Sequence, residues 1–267
     1  MASGTEKIAA AFSAADGRAA LMPYFMGGFP DLETSAAIGL ACADAGADLL
    51  ELGVPFSDPL ADGPVIHAAA TRALANGATV HAVVEAATRI AEHVPVVLMC
   101  YANPILARGL ERFTHELAAA GVSGLIVPDL PLEEADAIRD ACDAAGIALV
   151  PLVAPTTPEE RLARIGAQAR GFVYTVSVTR TTGERAGVDA SLATVLAQAK
   201  AHSPVPVAVG FGISTPEQAA AAAAAGADGV IVGSRLVRAA AEAADDGADP
   251  AAAVGGVVTA LAAALHR

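Results

Sequence analysis

Amines, thiols and metal-ligand patterns are scarce in this chain, and their scarcity narrows the chemistry first. Only two lysines occur in 267 residues, Lys7 near the amino terminus and Lys200 in a helical stretch. No strand therefore offers the amine that a Schiff-base mechanism requires. The six histidines, His67, His81, His93, His115, His202 and His266, fall in helical segments or at their ends without ligand spacing, so no metal site is expected. Cys42, Cys100 and Cys142 are isolated among apolar neighbours and read as buried free thiols rather than disulfides or metal ligands. The opening residues Met1 to Lys7 lack the basic start and apolar stretch of a secretory signal, which predicts a cytoplasmic protein. Pro250 to Leu265 is the longest apolar candidate, but it is Ala-rich and contains Gly255-Gly256. It falls short of the roughly 20 strongly apolar residues of a membrane span. A net charge of -13 with no basic cluster opposes nucleic-acid binding.

Much of the 54% hydrophobic content is alanine, which favours helix. Short Val-, Ile- and Leu-rich runs recur between longer Ala-rich stretches. Eight strands are predicted, over Leu21 to Gly27, Asp48 to Gly53, Val96 to Tyr101, Gly124 to Pro128, Ala148 to Leu152, Gly171 to Val176, Val205 to Val209 and Gly229 to Val232. Near-identical turns introduce several of them: Ala45-Gly46-Ala47-Asp48, Ala120-Gly121-Val122-Ser123, Ala145-Gly146-Ile147 and Ala225-Gly226-Ala227-Asp228. Each reads as a helix C-cap glycine feeding a strand. The strands are continuously apolar, as parallel strands buried on both faces must be. Eight βα units favour a single (β/α)8 TIM barrel over residues 1–267. The competing open doubly wound sheet usually carries G-x-G-x-x-G after its first strand, whereas here that strand leads into Gly27-Gly28-Phe29-Pro30. Residues 5–16 read as an extra N-terminal helix. The long gap between strands two and three holds more than one helix, divided at Asp62-Gly63-Pro64 and Asn76-Gly77.

Barrel chemistry sits on the loops after the strand C-termini. Strand seven leads into Gly210-Phe211-Gly212-Ile213-Ser214, and strand eight into Gly233-Ser234-Arg235. Glycines let backbone N–H groups approach an anion, and a helix starting at Ser234 would aim its positive end there, so a phosphate is the expected ligand. Glycine also serves tight strand-to-helix turns, so one such pair alone would carry little weight. Strand two, Asp48-Leu49-Leu50-Glu51-Leu52-Gly53, places an acid in a buried segment. A glutamate there needs a raised pKa or specific partners, and either makes Glu51 a candidate proton carrier; a structural pairing with an arginine is the alternative. The following loop, Pro55 to Pro64, adds Asp58 and Asp62 on a chain stiffened by proline, where turn roles compete with catalytic ones. With no Cys set beside a His and no G-x-S-x-G elbow, acid-base chemistry on a phosphorylated substrate is left.

The fourteen residues Glu51 to Pro64, together with Tyr101-Ala102-Asn103-Pro104, Pro128-Asp129-Leu130-Pro131, Gly210-Phe211-Gly212-Ile213 and Gly233-Ser234, closely resemble the tryptophan synthase alpha subunit family in order and spacing. The resemblance implies a carbon-carbon lyase that cleaves indole-3-glycerol phosphate by a retro-aldol reaction. Glu51 would be general acid-base, and Asp62, more exposed and ionised, would stabilise charge at the indole N–H. Gly183, Gly212, Gly233 and Ser234 would hold the phosphate, and Thr182 would contact Asp62. Tyr174 would pack beside Glu51, while Tyr24, Tyr101 and Phe211 would help line the indole pocket, although core aromatics look the same. No cofactor is implied in this subunit. The implied partner is a pyridoxal-phosphate beta subunit in an alpha2-beta2 complex, met by loops bearing Pro55, Asp58, Asn103 and Pro131. One segment departs from the family: where Gly-Val-Thr-Gly is usual, this chain reads Arg180-Thr181-Thr182-Gly183. Arginine restricts the backbone and adds charge beside an anionic substrate, so closure of the 179–185 loop is expected to differ. Two alternatives stay open, a stand-alone lyase and a catalytically idle activator of the beta subunit.

Overall fold

The structure, a computed structural model, describes residues 2–176, 188–210 and 212–265. Its strands are β1 (Ala20–Met26), β2 (Leu50–Gly53), β3 (Val96–Met99), β4 (Gly124–Ile126), β5 (Ala148–Val150), β6 (Leu152–Val153), β7 (Val173–Val176), β8 (Val207–Gly210) and β9 (Gly229–Val232). All pair in parallel in the order β5-β4-β3-β2-β1-β9-β8-β7-β6. The predicted fifth strand is split at Pro151, which has no N–H to give to a ladder. Its first half pairs with β4 and its second with β7, and the Pro151 carbonyl accepts from Tyr174 N–H at 2.9 Å. Eight predicted strands thus become nine assigned segments of one nearly closed barrel.

Helices alternate with the strands as predicted. The extra N-terminal helix runs Gly4–Ala14, capped by a reciprocal Ser3 and Glu6 box. The second βα unit holds two helices, Pro64–Ala75 and Val80–Ala91. The first has proline in its opening turn and Asn76 as its C-cap, at the predicted breaks. Pro250–Leu265 packs on Leu32–Asp44 as the closing helix.

The repeated turns have a structural cause. Gly46 and Gly226 adopt φ of 95° and 101°, a region that glycine enters without a Cβ penalty. The aspartate that follows each turn binds the adjoining strand. Asp48 accepts from Leu21 N–H (2.8 Å) and from both ends of the Arg18 guanidinium (2.6 and 2.7 Å). Asp228 accepts from Val207 N–H (2.8 Å) and Lys200 Nζ (2.7 Å). These bonds tie β2 to β1 and β9 to β8 at the barrel floor, leaving the opposite rim to the loops. Cys42, Cys100 and Cys142 are buried free thiols, and burial pushes each up to about 12. Among the described residues no helix is long and apolar enough to cross a membrane.

Candidate active site

Strand alternation decides where Glu51 points. Leu50 and Leu52 face the helical layer, so Glu51 and Gly53 face the barrel axis. Glu51 lies in register with Tyr24 of β1 and Val97 of β3. It is 1% exposed, and neither carboxylate oxygen has a hydrogen-bond partner among the described residues. The arginine-paired alternative therefore finds no support there. Burial first, and the charge of Asp62 second, push the Glu51 carboxyl up to about 8, because an ion stripped of water and left unpaired costs several kcal/mol. Its desolvation is complete. At neutral pH it is mainly protonated and ready to donate.

Asp62 comes from the loop after β2 and is half-buried. Burial raises its pKa, while hydrogen bonding to the Tyr101 hydroxyl and the charge of His67 pull the other way. The expected ionised aspartate is thus less free of perturbation than its loop position implied, though two neighbours favour its charge. Tyr101 also accepts from Ala61 N–H (3.0 Å) and stacks on Phe56, with ring centroids 5.2 Å apart. One ring after β3 therefore fixes both ends of the loop carrying Asp58 and Asp62. Asp129, after β4, accepts from Ala102 N–H (2.9 Å) and so holds the start of the helix Ala102–Arg108 that follows β3.

Glu51, Asp62, Tyr24 and Tyr174 line one cavity of about 290 Å³, joined by Met99, Ile66 and Ile231. Gly212, Ser214, Gly233 and Ser234, with Arg235 and Arg238, line the same cavity. Gly212 has φ +80°, which the tight turn after β8 reserves for glycine. Gly233 N-caps the helix Ser234–Asp245, so free backbone donors and the positive dipole end meet there. A side chain on Gly233 would approach the Tyr24 ring at 3.1 Å. The cavity therefore sets apolar and acidic side chains beside backbone N–H donors at a helix start.

Tyr24 and Tyr174 are buried, and desolvation with nearby acid raises both phenols. Tyr101 is hydrogen-bonded to Asp62 and is not among the residues lining this cavity. Thr182, Gly183 and Phe211, with Arg180, lie outside the described residues. Of the expected partner residues, Asp58, Asn103 and Pro131 are exposed whereas Pro55 is buried. Sequence reading missed Met99, Ile66 and Arg238, because an apolar residue of a strand or helix, or a helical arginine, carries no local sign of facing a cavity. It also passed over Leu60 and Leu106, 88% and 58% exposed on the same rim.

Comparison with known proteins agrees with this architecture. The family model "Tryptophan synthase alpha chain" matches residues 11–265. A tryptophan synthase alpha chain of Prochlorococcus marinus (strain MIT 9313) is 53% identical over 232 residues, covering 86% of this chain and 84% of the relative. One from Gloeobacter violaceus is also 53% identical, over 244 residues, covering 90% and 88%. The Legionella pneumophila alpha chain crystal structure superposes with a TM-score of 0.89 at 36% identity, covering 100% of this chain and 98% of that one. Tryptophan synthase from M. tuberculosis, in an open form with BRD0059 bound, gives 0.88 at 36% identity and full coverage of both chains. With its parallel barrel, buried glutamate and paired glycine turns, this chain belongs to the tryptophan synthase alpha chain family.

Proposed function

We propose that the chain, one barrel domain acting in the cytoplasm, is a lyase that cleaves indole-3-glycerol phosphate into indole and glyceraldehyde 3-phosphate for tryptophan synthesis. The observation that carries this reading is the unpaired, fully buried Glu51 carboxyl in one cavity with Asp62 and a glycine-serine anion cradle. Protonated Glu51 donates to the indole ring carbon that bears the glycerol chain. The positive charge that then develops at the ring nitrogen faces the Asp62 carboxylate, a charge pairing strengthened by exclusion of water. The Glu51 carboxylate left behind takes the proton of the adjacent glycerol hydroxyl. The carbon-carbon bond breaks, its electron pair restores the indole ring, and the hydroxyl carbon becomes the aldehyde. Glu51 ends protonated, so the cycle closes without a cofactor in this chain. Gly212, Gly233 and Ser234, with Gly183, hold the phosphate, while Tyr24, Tyr174 and Phe211 flank the indole. Thr182 contacts Asp62.

We assign indole transfer to a pyridoxal-phosphate beta subunit in an alpha2-beta2 complex. Support comes from the exposed Leu60 and Leu106 beside Asp58, Asn103 and Pro131 at the catalytic end of the barrel. Direct assay of indole release tests the reading. Glu51→Gln should abolish release while leaving glycerol 3-phosphate binding intact; undiminished release would refute the assigned role. Strong stimulation by a beta subunit supports the synthase assignment over a stand-alone lyase. Beta-subunit activation without cleavage would make the chain an idle activator.

A further inference from the structure

The anion end of the cavity carries two cations beyond the glycine-serine cradle. Arg235 and Arg238 occupy the first turns of the helix Ser234–Asp245 and line the same cavity as Glu51 and Gly233. Three residues apart, they are neighbours on the helix surface. In the ligand-free chain this placement is unfavourable twice over. A cation near a helix N-terminus opposes the macrodipole, and like charges at this spacing repel. The first turn supplies no acid to offset either effect.

Elsewhere the chain manages its arginines differently. It has 29 acidic and 16 basic residues. Among the described residues every other arginine has a carboxylate oxygen at 3.7 Å or closer. Arg235 and Arg238 have no such partner among the described residues. Arg235 is partly buried in the cavity wall and Arg238 is exposed at its edge. A dianion at the helix start would relieve both the dipole clash and the mutual repulsion. A guanidinium is also suited to phosphate oxygens, through parallel N–H donors.

We propose that Arg235 and Arg238 form an electrostatic clamp that draws in and retains the phosphomonoester of the substrate, adding cationic contacts to the backbone cradle. The clamp rests on the reading of this cavity as a phosphorylated-substrate site and adds the residues that select for the charge. It makes capture of the substrate sensitive to ionic strength, because partly exposed charges are screened by salt.

The test uses the full-length chain and its Arg235→Gln, Arg238→Gln and double variants, with Arg89→Gln as a control. Arg89 pairs with Glu33 on the surface away from the cavity. Steady-state cleavage of indole-3-glycerol phosphate is measured at low and high sodium chloride, and glycerol 3-phosphate binding is followed calorimetrically. Each single variant should raise KM and the glycerol 3-phosphate Kd by about threefold to tenfold, the range for one charged contact at a partly exposed site. The double variant should lose most of the salt dependence of KM. Its ligand-free Tm should equal or exceed that of wild type while the ligand-induced rise in Tm shrinks, a pairing that a merely structural role would not produce. KM, Kd and salt response all within twofold of wild type would overturn the clamp. Failure of wild type itself to cleave the substrate, with glycerol 3-phosphate still bound through these arginines, would sink the proposed reaction and leave the clamp standing.

Discussion

Replacing Glu51 by glutamine should change how stability responds to pH by several kcal/mol, because this carboxyl is held protonated by burial. Its pKa is about 8 in the folded chain against an ordinary value of 4.5. Between those values the folded state keeps a proton that the unfolded state has released. Stability therefore falls as pH rises, by about 1.4 kcal/mol per unit for one full proton. The contribution is fully present below about 4.5 and gone once pH passes about 8. Integrated from pH 5 to pH 8, the loss is about 3.5 kcal/mol. The amide introduced by Glu51→Gln does not titrate, and its shape matches the protonated acid, so the cost of burying an unpaired polar end is similar at every pH. Urea unfolding of both proteins at pH 5, 6, 7 and 8 cancels the other titrating groups. The variant should gain on wild type by about 3.5 kcal/mol across that range. Parallel stability curves, within about 1 kcal/mol, would show that Glu51 ionises normally in the fold, and would remove the physical basis for its role as acid.

The same geometry fixes the outcome of other perturbations. If protonated Glu51 starts the reaction, kcat/KM for indole-3-glycerol phosphate should fall as pH rises through about 8; a profile flat to pH 9 would argue against it. Asp62→Asn should cut kcat by about 10²- to 10³-fold, as loss of one electrostatic stabiliser typically does, and should move the Glu51 limb to lower pH, since Asp62 helps raise it. The chain has no tryptophan, so the indole ring of substrate and product can be observed without a tryptophan background. Gly53→Ala should cost about 1 to 3 kcal/mol as overpacking, because its new methyl would overlap the Tyr24 hydroxyl end. Tyr24→Phe should recover part of that loss, and simple additivity in the double variant would contradict the contact. Asp48→Ala at the barrel floor should destabilise by about 2 to 3 kcal/mol in urea unfolding, through loss of charge-assisted hydrogen bonds to Arg18 and Leu21. It should leave KM unchanged, being at the opposite end from the site.

The sequence by itself determined the alternation of strand and helix, the parallel pairing and the rim on which chemistry sits. These follow from local causes: β-branched runs, glycine caps at Gly46 and Gly226, and an acid at position 51 where apolar residues were due. It also pointed to Glu51 and Asp62 as the acids to consider. Only the tertiary structure decided their states. Whether Glu51 met an arginine depended on neighbours distant in sequence, and the barrel axis left its oxygens without a described partner. Asp62 was expected to be freely ionised, yet burial raises its pKa while Tyr101, from another loop, favours its charge. The split of the fifth strand at Pro151 and the placing of Arg235 and Arg238 in one cavity with Glu51 are likewise facts of closure. Local patterns specify which way a strand or helix faces, but desolvation and charge at a site are sums over elements that only folding brings together.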